Sequence, residues 1–139
     1  MKVLFVDDNL AGMKAHTSQL KRLGWEVIAT DRVDRAWQVF RECEGTWDLV
    51  IVDLSMPPGE CTPKAELEEV GYELLLLMRR RRETMPAVVL TNVEAHPVLR
   101  RIDGLPHVKT FRKREQYAKE FAVLVSEFLH DISSGQRWP

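Results

Sequence analysis

Three carboxylates, a hydroxyl and an ammonium stand at the ends of short apolar runs in this chain. Residues 2–6 (KVLFV) lead into Asp7, Asp8 and Asn9, and residues 48–52 (DLVIV) lead into Asp53. Residues 87–90 (AVVL) lead into Thr91 and Asn92, and a weaker, more polar run from 108 ends at Lys113. Three ionised carboxylates brought together repel, and their pKa values rise unless something balances them. A lysine and a divalent cation do that. Mg2+ is the natural cation, since it takes oxygens from one or two carboxylates and keeps waters for substrate oxygens. With such a metal in place, one carboxylate can act as a nucleophile toward a phosphoryl group. A hydroxyl and an ammonium then stabilise charge on the transferred oxygens.

The elements that must position these groups are strands buried on both faces. The runs at 2–6, 48–52 and 87–90, with residues 26–29 (EVIA), are compact and rich in Val, Leu and Ile, as parallel strands are. The polar run 108–113 suits a strand near an edge. Between them lie helical patterns. Residues 11–23 carry Met13, Leu20 and Leu23, and residues 33–43 carry Ala36, Val39 and Phe40 behind Asp34, a capping candidate. Residues 65–82 form a long helix candidate that Gly71 splits or whose true start it marks. Residues 95–102 open with Pro97, which suits a first turn, and residues 115–131 place Tyr117, Phe121, Leu124, Val125 and Phe128 on one stripe. The order is β-α repeated five times, which predicts an α/β fold with right-handed crossovers and a functional crevice at the carboxyl ends of the strands.

Composition narrows the classes. A chain of 139 residues with 45% hydrophobic and 29% charged residues is one globular domain rather than a disordered segment. A net charge of −1 gives no bulk attraction to nucleic acid or an anionic membrane. No apolar run approaches the roughly 20 residues of a membrane helix, and no signal-peptide pattern opens the chain. The only cysteines, Cys43 and Cys61, form no CxxC pair, which argues against zinc or a disulfide framework and for a reducing, cytoplasmic setting.

The motifs V-L-F-V-D-D-N at 3–9, V-I-V-D-L-S-M-P at 50–57, V-V-L-T at 88–91, and Lys113 resemble the receiver domains of two-component response regulators over about residues 2–131. The D-x-x-M-P turn combined with a D-D-N end to the first strand makes the resemblance specific. It implies a doubly wound, flavodoxin-like five-stranded parallel sheet in the order 2-1-3-4-5 with five flanking helices. It also implies Asp53 as phosphoryl acceptor, Asp8 as direct Mg2+ ligand, Asp7 as the acid acting through bound water, and the Ser55 backbone carbonyl facing the metal. Thr91 is similar to the hydroxyl that follows the phosphoryl group, and Lys113 to the ammonium that pairs with it. The implied unit is a receiver of residues 1–132 with an insertion at about 58–70 and a flexible tail over 133–139.

Four positions depart from the family pattern. The connection between Pro57 and Tyr72 is about ten residues longer than usual, reading as a turn and an acidic helical extension. Arg114 stands where the family usually has proline, leaving Lys109 as a fallback for the role of Lys113. Asn92 follows Thr91 where a small residue is common, and Thr110 replaces a switching aromatic, with Phe111 one position off and so on the opposite face. Elsewhere, Arg79–Arg82 read as a solvated helix end, favoured by the backbone dipole and able to pair with Glu66, Glu68 and Glu69. His16, His96, His107 and His130 read as scattered surface or turn residues. Trp25, Trp37 and Trp47 read as core or rim packing, while Trp138 in the tail suits a partner contact or a continuing chain.

The resemblance implies a stand-alone, chemotaxis-type switch, phosphorylated by a sensor histidine kinase or phosphotransfer protein. It would catalyse only its own Mg2+-dependent phosphorylation and dephosphorylation. Nothing after residue 131 is long enough for an output domain, so output falls to contact with a downstream protein or a homodimer through the last helices, not to nucleic acid or membrane. The competing reading is a receiver-fold binding module that signals without phosphorylation. An aspartyl phosphatase is excluded, because the acid it needs two residues after its nucleophile is Ser55 or Asn9 here.

Overall fold

The computed structural model describes residues 1–92, 96–113 and 117–135. The readings placed on Arg114, on Trp138 and on 136–139 lie outside the described residues. Each apolar run forms a five-residue strand: β1 Lys2–Val6, β2 Glu26–Thr30, β3 Leu49–Asp53, β4 Ala87–Thr91 and β5 Val108–Arg112. They make one parallel sheet in the order β2-β1-β3-β4-β5, the expected doubly wound, flavodoxin-like arrangement. Register runs Leu4 beside Ile28 and Val50, then Val50 beside Ala87 and Val88 beside Lys109.

Five helices cover the sheet: α1 Lys14–Arg22, α2 Val33–Glu42, α3 Val70–Arg81, α4 Pro97–Asp103 and α5 Ala118–Ser133. Alternate strand residues face opposite layers. Val3, Phe5, Leu49, Ile51, Val88, Leu90 and Phe111 pack under α1 and α5, with Phe121 edge-on to Phe111. Leu4, Val6, Val50 and Val52 pack under α2 and α3, together with the buried Trp47 and Met56. Leu54, Ala87, Val89 and Val108 meet Tyr72 and Leu75 of α3 and Val98 and Ile102 of α4 in a separate cluster.

Local chemistry sets the helix ends. Asn9 accepts the Gly12 N–H at 3.1 Å and opens the 3-10 turn Ala11–Met13 ahead of α1. Gly24, at φ 85°, ends that helix in a left-handed turn that favours glycine. His96 caps α4 through Nδ1, which accepts the Val98 N–H at 3.1 Å, with Pro97 in the first turn. Three expectations are corrected. Asp34 lies one residue inside α2 and makes no cap bond to it. The acidic helical extension reduces to one 3-10 turn, Leu67–Glu69, before α3. The arginines at the end of α3 are not a uniformly solvated end paired with Glu66, Glu68 and Glu69.

Arg79 is buried, and it donates to the carbonyls of Glu83 at 3.1 Å and of Pro106 at 2.6 Å. Arg82 donates to the Trp47 carbonyl, and Arg81 pairs with Glu44. Planar guanidinium groups reach backbone oxygens that helix and strand leave over. The segment just ahead of β5 is thus held to α3 by a side chain as well as to β4, whose Ala87 N–H donates to the His107 carbonyl at 3.0 Å.

Gly71 in the first turn of α3 has a positional reason. A Cβ there would stand 2.3 Å from the Asp53 carbonyl oxygen and 2.7 Å from the Leu54 Cα, while its N–H donates to the Leu54 carbonyl at 2.9 Å. Only a residue without a side chain lets α3 start against the end of β3. Gly71→Ala is expected to destabilise the fold by about 2 kcal/mol through overpacking, read as a lower urea midpoint at unchanged slope. Arg79→Met keeps the apolar stem but strips donors from buried carbonyls, and is expected to cost about 1–3 kcal/mol in the same assay.

Candidate functional site

Asp7 follows β1, Asp53 ends β3, and these strands are sheet neighbours, so one edge of the sheet carries both carboxylates. Both are buried, at 0% and 5% exposure, whereas Asp8 is exposed. Carboxylate oxygens of Asp7, Asp8 and Asp53 lie within 4.8 Å of one another. Lys113, one residue past β5, sends its Nζ to 2.7 Å from Asp7 Oδ2 and donates to Asp53 Oδ2 at 3.2 Å. The other Asp7 oxygen accepts the Asn9 N–H at 2.8 Å, which sets the turn after β1.

The electrostatics follow from crowding and burial. Burial, and then the charge of Asp7, push the Asp53 carboxyl up to about 7, with Lys113 acting in the opposite direction. Burial opposes the charge on Lys113, but hydrogen bonding to Asp7 and the charges of Asp53 and Asp7 outweigh it and raise its pKa. Among the described residues one cation thus serves two buried acids, with Asp8 beside them at the mouth. An all-oxygen, net anionic donor set of this kind fits a hard divalent cation.

Thr91 ends β4 and is buried; it follows Leu90, the register partner of Asp53. Ser55 and Met56 continue from β3 into the loop before α3, Met56 buried and donating its N–H to the Leu67 carbonyl at 3.2 Å. Lys109 pairs with Val88 inside the sheet, well back from the strand ends. Lys113 is the lysine in contact with the acids. Thr110 is half-buried, while Phe111 is buried in the layer under α5.

The loop between β3 and α3 holds contacts that carry no signature in the sequence. Asp34 accepts the N–H groups of Glu60 at 2.8 Å and Cys61 at 2.9 Å. Glu69 pairs with Arg101 of α4 at 2.8 Å, and Arg101 lies over the Tyr72 ring. A cleft of about 640 Å³ runs from Asp8 between Val33 and Arg35 of α2 and Met56 to Gly59 of the loop. None of the four histidines is buried. His96 comes together with Glu66 and Glu68, and His16 packs edge-on against Phe121. Because Nδ1 of His96 already accepts from Val98, the neutral ring keeps its proton on Nε2, which suits a carboxylate rather than a metal ion. Both cysteines are free thiols, and among the described residues no helix is long and apolar enough to cross a membrane.

No protein-family model matches the sequence. The two-component response regulator ARR12 of Arabidopsis thaliana is 32% identical over 78 residues, which is 56% of this chain and 13% of that protein. The chain therefore spans about an eighth of that relative's length. Among solved structures, the receiver domain of the hybrid histidine kinase CckA is 25% identical, with a TM-score of 0.70 over 93% of this chain and 99% of that one. The non-phosphorylated HemR receiver domain of Leptospira biflexa, at 19% identity, shares the fold with a TM-score of 0.74 over 92% of this chain and 93% of its own. In sheet order, in the acids gathered at its strand ends and in these likenesses, the chain is similar to receiver domains of two-component response regulators and shares their flavodoxin-like fold.

Proposed function

We propose that this chain is a phosphorylation-controlled signalling switch, with Asp53 accepting a phosphoryl group from a histidine kinase or phosphotransfer protein and with output by contact with a downstream protein. The observation that carries the reading is Lys113 bridging the buried Asp7 and Asp53, with Asp8 exposed beside them. A purely structural pair of buried acids would need only the lysine; a third carboxylate at the mouth leaves the cluster short of positive charge. Asp8, Asp53 and the Ser55 carbonyl would hold Mg2+, with Asp7 acting through a bound water. When bound, Mg2+ neutralises the phosphoryl oxygens and orients them toward the acceptor.

The side chains of this chain supply the rest. An Asp53 carboxylate oxygen attacks phosphorus, forming the acyl-phosphate bond. The P–N bond of a phosphohistidine donor breaks, and its electron pair returns to the imidazole. Lys113 stays at the acceptor and stabilises charge on a transferred oxygen, while the Thr91 hydroxyl at the next strand end donates to another. Residues 1–132 form the switching unit, and the soluble fold suits a cytoplasmic setting.

Incubation with a small-molecule phosphodonor and Mg2+ is expected to add about 80 Da, one phosphoryl group. The gain is expected to vanish without Mg2+ and in Asp53→Asn. Intact mass spectrometry reads it, and a folded protein that gains no mass from either a small donor or a phosphotransfer protein would refute the reading. Lys113→Ala separates two roles of one cation. Removing a positive charge from the acid cluster is expected to tighten Mg2+ binding by roughly tenfold. Losing the charge that stabilises the transferred oxygens is expected to slow phosphorylation by about a hundredfold. Titration calorimetry and the time course of mass gain check the two.

A further inference from the structure

The extra segment after Pro57 is fastened to α2, and the fastening leads back to the acid pocket. Leu54 donates its N–H to the Leu90 carbonyl at 2.9 Å and accepts from Gly71 N at 2.9 Å, which fixes the chain one residue past Asp53. Met56 is buried and tied to Leu67. Pro57 and Pro58 follow, each with φ locked by its ring, so the path from Met56 to Gly59 is stiff. At its far end the path meets the Asp34 carboxylate, which accepts from Glu60 N at 2.8 Å and from Cys61 N at 2.9 Å.

Two further observations show that this junction is built. A Cβ on Gly59 would stand 2.5 Å from each Asp34 carboxylate oxygen, so the close approach needs glycine there. Thr62, which is buried, closes the turn from within: its hydroxyl accepts the Gly59 N–H at 3.1 Å and its own N–H donates to the Gly59 carbonyl at 3.1 Å. The Cys61 thiol, then the Cys61 and Glu60 N–H groups, hold the Asp34 carboxyl below the usual carboxylate range. Burial and the bond to Asp34 in turn push the thiol up to about 12. Cys61 here is a donor, not a nucleophile.

We infer that Asp34 is a positioning residue for phosphoryl transfer: by clamping Glu60 and Cys61 to the first turn of α2, it fixes the Ser55–Met56 turn beside Asp53 and holds open the cleft that leads to Asp8. Asp34 lines that cleft with Arg32, Arg35 and Pro58 but is not itself among the acids gathered at the strand ends. Its effect passes through backbone, along the rigid stretch from Cys61 to Ser55. This assignment rests on the reading of the acid pocket as the phosphoacceptor site.

The test compares the parent chain with Asp34→Ala, Asp34→Asn, Gly59→Ala and the Asp34→Ala/Gly59→Ala double variant. Each is measured for Mg2+ affinity by calorimetry, for amide hydrogen exchange, and for rate of mass gain with a small phosphodonor. Asp34→Ala is expected to weaken Mg2+ binding by about tenfold, at the lower end for groups that support metal ligands from behind. It is expected to speed exchange at Ser55, Met56 and 59–62 while β1 and β4 stay protected. Gly59→Ala, which displaces the carboxylate without removing it, is expected to reproduce both effects. The double variant is expected to be no worse than Asp34→Ala, because the added methyl then has nothing to displace. Asp34→Asn, which keeps an acceptor oxygen, is expected to fall between parent and Asp34→Ala.

Unchanged exchange at Ser55 and Met56, with Mg2+ affinity within about twofold of the parent in both single variants, would overturn the inference and leave Asp34 an anchor of a distant loop. A parent that gains no phosphoryl mass at all would sink the functional reading instead. Exchange at Ser55 and Met56 still decides the clamp in that case.

Discussion

Burying two like charges at the ends of adjacent strands is the constraint on which this molecule turns. In a parallel sheet every carboxyl end points to one edge, so acids that close β1 and β3 meet whether or not they attract. Neither Asp7 nor Asp53 reaches water freely, and an unbalanced buried carboxylate neutralises itself by taking up a proton. The raised Asp53 carboxyl shows that pressure. Lys113 relieves it from 60 residues away in sequence. It can do so because the sheet order sets β4 between β3 and β5, a gap that one long lysine stem spans. The topology and the chemistry are thus one requirement: another strand order would leave the acids together and the cation elsewhere.

A site balanced this closely tolerates little slack in the backbone that carries it. The close approach of α3 at Gly71 presses a helix start against the Asp53 carbonyl, and Leu54 is bonded on both sides. These contacts are made by main chain, which has no rotamers to relax. Movement at Asp53 therefore reaches α3 directly. The longer loop after Pro57 adds a second support through α2 and a third through Glu69 and Arg101 to α4. Length in this loop has been converted into attachment rather than freedom.

Periodicity and strand-end chemistry made the parallel strands and the acid cluster readable from residues alone, because buried parallel strands are continuous apolar runs and acids that close them stand out; the order of the strands came only with the resemblance to receiver domains. Gly71 was legible as a point where the helical pattern breaks, though the carbonyl that requires it was not. What stayed hidden shares one physical character: a side chain bonded to the backbone of a remote segment. Asp34 bonds to residues 26 and 27 positions on, Arg79 to residues 27 and 28 positions on, and Arg82 to Trp47. Any backbone N–H or C=O looks alike in a sequence, so such bonds leave no residue-type pattern. Hence Asp34 read as a helix cap and Arg79 as a solvated cation. The meeting of Glu66, Glu68 and His96 stayed hidden for a similar reason, since only the fold brings them together.

The division of the core has an outcome for how the molecule comes apart. One face of the sheet is covered by a single apolar cluster under α1 and α5, whereas the other is split between a cluster under α2 and α3 and a smaller one shared by α3 and α4. α4 has seven residues and buries only Val98 and Ile102 within itself. Detaching it exposes the small cluster and leaves the other two intact, so α4 forms the cheapest cooperative unit of the structure to open. The helix following Thr91 thus rests on the smallest of the three apolar clusters, so its opening costs the least buried surface.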